Sequence, residues 1–266
     1  MQHVNFYSNK VILITGASSG IGEALAVGSA KEGAVLILAA RRMEELKRVA
    51  ERCSKAGAKE VLCVPLDVTD KDQVRGLLDT IQTRNWKIDV FFNNAGISQR
   101  STVLEAKEEV ERQIMEVNYF APVYLGKALY PLFSGDARMV IISSLSGLFG
   151  FPLRTTYAAS KHAIKGYFES WQVENKHPHI TLVFPGRIQS QISVHALHGD
   201  GAEHQVMDKA QREGMPVDKC ARIILKGVAV KKRKILVGQK ELILYWFYKH
   251  IPSLYYKIAS SIKANG

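Results

Sequence analysis

Seven short runs rich in Val, Ile and Leu recur along the chain, separated by longer stretches whose apolar positions fall three or four residues apart. The runs are KVILIT (10–15), AVLILAA (34–40), EVLCVPL (60–66), DVFFNNAG (89–96), ARMVIISS (137–144), ITLVFPG (180–186) and KILVG (234–238). Because they are apolar at successive rather than alternate positions, they suit strands buried on both faces, as in a parallel sheet covered by helices. The intervening stretches predict helices over about 20–32, 44–55, 71–84, 108–132, 155–175 and 217–231. Such alternation implies an α/β fold: a single Rossmann-like, doubly wound domain with a seven-stranded, mostly parallel sheet flanked by helices on both faces. No repeat, low-complexity segment or Pro/Gly-rich linker interrupts it. Residues 1–239 are assigned to this domain and 240–266 to a C-terminal extension.

Composition agrees with one large domain, since 266 residues with 47% hydrophobic content can supply a sizeable core. The first ten residues, MQHVNFYSNK, lack a basic segment followed by an apolar one, so a cytoplasmic location is expected. Three widely spaced cysteines, Cys53, Cys63 and Cys220, without a CxxC, suit reduced thiols rather than a disulfide framework or a metal site. Charge changes the picture more. The formal net charge is +11, and residues 226–266 hold nine basic side chains against one acid, Glu241, so this segment carries +8 of it. An anionic ligand, a membrane surface and nucleic acid are the partners such charge can serve. No nucleic-acid-binding motif accompanies it, and no nucleic acid is expected.

The candidate chemistry begins at ITGASSGIG (14–22), which follows the first strand and opens the first helix. Glycines at 16, 20 and 22 allow a tight turn, close approach of a pyrophosphate and close packing of the helix, whose N-terminal amides attract an anion. The spacing differs from GxGxxG and lacks the P-loop lysine. At the end of the second strand, LAARR places Ala40 where an acid would bind a free 2′-hydroxyl, followed by Arg41 and Arg42. Arginines there are either simply solvated or grip a 2′-phosphate; together with the missing acid they favour NADP(H) over NAD(H).

TTYAASKHAIKGY (155–167) sets Tyr157 and Lys161 four apart on one helix face. A phenol has an ordinary pKa near 10, and an ammonium within about 4–6 Å can lower it by about 1–3 units, making Tyr157 usable as a proton donor or acceptor. Ser144, thirteen residues upstream at the end of a strand, can converge on the same crevice. Its neighbour Ser143 would point to the other side of the strand, and Ser146 would lie beyond it.

In this order, TGASSGIG (15–22), LDV (66–68), NNAG (93–96), VN (117–118), Ser144, YAASK (157–161) and PG (185–186) closely resemble the short-chain dehydrogenase/reductase family over roughly residues 8–238. The resemblance implies that Tyr157 exchanges a proton with the substrate oxygen and Ser144 hydrogen-bonds that oxygen. Lys161 would bind the nicotinamide ribose and tune Tyr157, and Asn118 would hold a water linking Lys161 to solvent. Gly16, Ser18, Gly20, Ile21 and Gly22 would line the pyrophosphate, Asp67 and Val68 the adenine, and Asn94, Ala95 and Gly96 the adenosine side. Pro185, Gly186 and Ile188 would cover the nicotinamide, with Ser190 replacing the family's threonine. Ser19 joins the cofactor residues but stands where many NADP(H)-dependent members carry a second basic residue.

The resemblance implies an oxidoreductase moving hydride between nicotinamide and a carbonyl or hydroxyl carbon, with a catalytically silent NADP(H) sensor or scaffold as the alternative. Residues after the PG turn would form the substrate lid. Ile192, Val194 and Leu197 there, facing Leu145, Leu148, Phe149, Phe151 and Leu153, suit a hydrophobic ketone or alcohol, steroid-like or long-chain. His195, His198 and His204 lie on a glycine-containing stretch, so no metal is expected. A homodimer or homotetramer would form through helices 108–132 and 155–175. The extension's LILYWFY (242–248) is too short to span a bilayer, and Pro252 interrupts any helix through it. It would pack on the enzyme, on a partner subunit or on a membrane surface.

Overall fold

The computed structural model describes residues 5–261. The remaining residues of the two segments assigned above, Lys263 among them, lie outside the described residues. The strands are β1 (Val11–Thr15), β2 (Val35–Ala40), β3 (Glu60–Pro65), β4 (Ile88–Asn93), β5 (Phe133–Ile142), β6 (His179–Pro185) and β7 (Lys234–Val237). They form one sheet in the order β3-β2-β1-β4-β5-β6-β7, and every neighbouring pair is parallel. The order reverses between β1 and β4. The loops diverge there and open a crevice at the carboxyl ends of the strands.

Helices cover both faces. Ile12, Ile14, Leu36, Leu38, Val90 and Phe92 point to one side, against α1 (Gly20–Ala30), α2 (Met43–Ala56) and α8 (Val217–Ala229). Leu13, Ile37 and Phe91 point to the other, against α3 (Lys71–Thr83), α5 (Ala121–Leu129) and α6 (Thr155–Glu174). Alternation along a strand thus feeds two cores, which is why the strands read as unbroken apolar runs. The helices start and stop where local chemistry directs. Asp70 Oδ1 accepts from the amides of Asp72 and Gln73 at the start of α3 (2.9 and 3.1 Å), and Gly57 ends α2 at φ +109°.

The single helix expected over 108–132 is four pieces. α4 (Glu108–Met115) passes into a π-helical turn at Glu116–Phe120, then α5, then a 3₁₀ turn at Tyr130–Leu132. Pro122 has no N–H for the carbonyl of residue 118, so the regular ladder cannot run through this point, and the turn widens there. Asn118 sits in the widened turn. The remaining elements are a 3₁₀ turn at Leu145–Gly147, a one-turn α7 (Lys209–Arg212) in the lid, α9 (Glu241–His250) and α10 (Pro252–Ser261), with Pro252 opening α10.

Candidate active site

A cleft of about 670 Å³ follows the carboxyl ends of the strands. Its cofactor end is a cradle made largely of backbone. Gly16 has φ +64° and Gly20 φ +58°, conformations that L side chains rarely adopt. A methyl group on Gly22 would overlap the Gly16 carbonyl, so Gly22 serves the packing of α1 against the turn and does not line the cleft. Gly16, Ser18, Ser19, Gly20 and Ile21 do line it. Asn94 Nδ2 donates to the carbonyls of Thr15 and Gly16 (2.9 and 3.2 Å), tying β4 to the glycine turn. Thr15, which no motif singled out, is wholly buried, and its Oγ1 accepts from the amides of Asn94 and Ala95 (3.0 and 3.2 Å).

At the adenosine end, Arg42 Nη2 donates to Ser18 Oγ and Ser19 Oγ, both at 3.3 Å, while Arg41 is exposed. Asp67 Oδ1 accepts from Thr69 N and Oγ1 (3.0 and 2.7 Å), and Asp67 and Val68 line the cleft. Pro185, Gly186, Ile188 and Ser190 form the opposite wall. A Cβ on Gly20 would lie 3.3 Å from Ser190 Cβ, so this wall closes onto the glycine turn. These residues leave space and donors where a dinucleotide's phosphates need them; side chains at Gly16 and Gly20 would fill that space.

The groups expected to react converge beside this cradle. Tyr157 lies in the first turn of α6, only 7% exposed. The turn is capped from 57 and 58 residues upstream, by Gln99 Oε1, which accepts from the amides of Thr156 and Tyr157 (2.8 and 3.1 Å). Gln99 is fully buried and was invisible in the sequence, because no local pattern links it to α6. Lys161, one turn on, is 4% exposed; its Nζ donates to Ile142 O at 3.1 Å and lies 5.8 Å from the Tyr157 ring centroid. Burial pulls its pKa down to about 8. Burial raises the Tyr157 pKa, while a hydrogen bond with Ser144 and the positive charge of Arg154 pull it back. The cation that acts on the phenol in this structure is therefore Arg154, whereas the ammonium of Lys161, expected to tune it, is turned toward the Ile142 carbonyl.

Of the three serines, Ser144 Oγ accepts from Ser146 N at 3.1 Å and lies 3.5 Å from Pro185 O, inside the cleft. Ser143 Oγ donates to Lys161 O at 3.1 Å. Asn118 does not line the cleft. Wholly buried, its side chain bonds Ile97 N, Ile97 O and Ser160 Oγ (2.9, 2.9 and 3.1 Å). It is still close to the lysine: a Cβ on Gly96 would sit 3.1 Å from Asn118 Oδ1 and 3.4 Å from Lys161 Nζ.

The substrate end is less apolar than expected. Leu145, Phe151, Leu153 and Ile192 line it, but Leu148 and Phe149 are buried in the core and Leu197 packs with Val110 and Ile114. In their place stand Arg100, Gln113, Arg154, Gln191 and Asp208. The lid histidines have other partners: His195 Nδ1 contacts Glu203 (2.9 Å), and His198 contacts Arg100 O (3.0 Å) and His204 (3.2 Å). The extension reaches the site too. Tyr245, Tyr248 and Tyr255 ring Phe149 at 6.0, 5.7 and 5.6 Å, and Tyr255 hydroxyl bonds Gly150 O. Glu241 accepts from Arg187 N at 2.9 Å and fills the space a Cβ on Gly186 would need.

A family model described as short chain dehydrogenase matches residues 10–200. A dehydrogenase/reductase SDR family protein 7-like of Drosophila melanogaster is 36% identical over 262 residues, covering 96% of this chain and 80% of that one. The protein of the same name from Anopheles gambiae is 37% identical over 266 residues, covering 97% and 83%. Among solved structures, a short chain dehydrogenase/reductase from Burkholderia phymatum in complex with NAD superposes with a TM-score of 0.80 at 25% identity, covering 93% of this chain and 95% of that one. An alcohol dehydrogenase from Thermococcus sibiricus complexed with 5-hydroxy-NADP gives 0.75 at 25% identity, covering 87% and 97%. With the glycine cradle, the Ser144–Tyr157–Lys161 cluster and these likenesses together, the chain belongs to the short-chain dehydrogenase/reductase family of oxidoreductases.

Proposed function

We propose that the protein is an NADP(H)-dependent reductase or dehydrogenase acting on the carbonyl or hydroxyl carbon of its substrate, and that Tyr157 is its general acid–base. The observation that carries the reading is the buried phenol of Tyr157, in one cleft with Ser144 and one helical turn from a buried lysine, at the end of a cradle suited to a dinucleotide. When bound, the nicotinamide supplies or accepts the hydride. Tyr157 hands its proton to the substrate oxygen in reduction and takes it back in oxidation, and Ser144 hydrogen-bonds that oxygen. Lys161 Nζ holds the ribose and, with Asn118 beside it, carries the proton onward to solvent. Arg42, with the hydroxyls of Ser18 and Ser19 and no acid at the end of β2, supports NADP(H) over NAD(H).

The test is a screen of NADPH oxidation over ketones and aldehydes of graded chain length, repeated with Tyr157→Phe. The variant is expected to lose about 10²- to 10⁴-fold in turnover while still binding NADPH. Tight NADPH binding with no turnover by the wild type across the panel would favour the silent sensor instead.

Three further expectations keep a structural rationale. Phe120 (53% exposed), Tyr130 (43%) and Val173 (87%), near or on α5 and α6, support a homo-oligomer through that helix pair, to be read from the mass in solution. Ile243, Trp246, Ile251, Leu254 and Tyr256 are exposed on α9, on α10 and between them, beside Lys249 and Lys257, which supports contact with an anionic membrane surface. Among the described residues, no helix is long and apolar enough to cross a membrane. The three free cysteines support a reducing compartment such as the cytoplasm.

A further inference from the structure

The lid that follows the Pro185–Gly186 turn carries Asp208, which is 6% exposed. Its Oδ2 accepts from Arg100 Nη1 at 2.8 Å and from Arg154 Nη2 at 3.3 Å. Its buried Oδ1 lies 3.4 Å from His204 Nε2 and has no hydrogen bond among the described residues. The two arginines belong to the frame beneath. Arg100 is in the loop after β4, and Arg154 immediately precedes α6, three residues before Tyr157. The lid is docked on that frame by backbone bonds as well, with Arg100 N donating to Leu197 O (2.7 Å) and Leu197 N to Ser98 O (2.9 Å).

Arg154 is held as a part of the site would be. Its Nη1 donates to Ser98 Oγ, and its guanidinium lies 5.9 Å from the centroid of the Tyr157 ring. The backbone arrives through Leu153 at φ +60°, a left-handed conformation that a leucine keeps only where its surroundings impose it. A carboxylate and guanidinium buried together are each strongly disfavoured if the partner leaves, so this pair exists only while the lid is docked. The charge of Arg154 also opposes the effect of burial on the phenol.

We propose that Arg154 is a positioning residue for Tyr157 and that Asp208 is its latch: docking of the lid brings Asp208 onto Arg154 and holds the guanidinium beside the phenol. The inference rests on Tyr157 being the acid–base. Undocking the lid removes the carboxylate and leaves Arg154 with only its bond to Ser98 Oγ, so the guanidinium is held firmly beside the phenol only while the lid is docked. The charged and titratable groups that share the phenol's cleft include Lys161 and Arg154 on or beside its own helix, Arg100 from the β4 loop and Asp208 from the lid, with His204 behind Asp208 and Glu111 of α4 bonded to Thr156 Oγ1.

The test follows the phenolate absorbance of the NADP⁺-loaded full chain against pH, with Tyr157→Phe subtracted so that only Tyr157 is read. Arg154→Gln is expected to raise the midpoint by about 1 pH unit, and Arg154→Lys, which keeps the charge, by less than half of that. Asp208→Asn is expected to raise it too, because the untethered guanidinium moves away. A midpoint unchanged in Arg154→Gln, or lowered in Asp208→Asn as loss of a merely compensating anion would do, overturns the proposal. NADP⁺ binding by each variant shows that it is folded; if Arg154→Gln fails there, the direction of the Asp208→Asn shift decides, an unchanged midpoint counting against. Full turnover by Tyr157→Phe would instead remove the acid–base reading, whatever the titration gives.

Discussion

The cofactor end of the cleft is made chiefly of backbone, whereas the substrate end is made of side chains gathered from distant segments. At the first, Gly16, Gly20 and Gly22 meet conformational and packing demands that few other residues could satisfy. At the second, Arg100, Arg154 and Asp208 come from the β4 loop, the start of α6 and the lid. The difference teaches why one end could be read from short motifs and the other could not. Backbone geometry restricts residue type locally, while an ion pair between residues 154 and 208 leaves no local trace.

The sharpest way to break this comparison is to loosen the extension and ask which end responds. Tyr255→Ala removes a nearly buried ring and its bond to Gly150, and is expected to cost about 3–5 kcal/mol in chemical denaturation while NADPH affinity changes little. Equal loss at both ends would show that they are one mechanical unit.

Next in size is a pH effect at the cofactor end. Lys161 is depressed from 10.5 to about 8 by burial, so folding expels its proton between those values. The cofactor-free fold is therefore least stable below about pH 8 and gains from this group as pH rises from about 8 toward 10.5, by about 3 kcal/mol over the full window. Buried Cys53 and Cys220, raised to about 12, act in the opposite sense as pH passes 9, so the rise should be clearest between about pH 8 and 9. Subtracting the pH–stability curve of Lys161→Met should isolate it, and identical curves would remove the assignment.

Arg42→Ala should weaken NADPH roughly 10- to 100-fold, the worth of hydrogen bonds to a charged group, and leave NADH nearly unchanged. An equal loss for both cofactors would place Arg42 outside 2′-phosphate recognition. The smallest effect on stability is expected at Trp246, 51% exposed: Trp246→Ala should stay within about 0.5 kcal/mol yet reduce flotation with anionic vesicles. Unchanged flotation would count against the membrane face.

The strands were legible because a parallel sheet is buried on both sides and so writes unbroken apolar runs. The glycine turn, Ser144, Tyr157 and Lys161 were legible because their types and spacing are required locally. The segment 108–132 was misread as one helix: its apolar positions carry a helical period, and the single missing N–H of Pro122 shifts the ladder without changing that pattern. The hydrophobic lining was overdrawn for a related reason. Phe149 is apolar, but which cavity it faces depends on Tyr245, Tyr248 and Tyr255 arriving from nearly a hundred residues later.

By itself, then, the chain determined its layers, its cofactor cradle and the identity of its acid–base candidate, because each depends on residue type within a turn or two. Tertiary structure alone decided that Gln99 caps α6, that Asp208 meets Arg154, and that Glu241 closes under Gly186. Those contacts join residues far apart in sequence, where burial and charge compensation, rather than local geometry, select the partner.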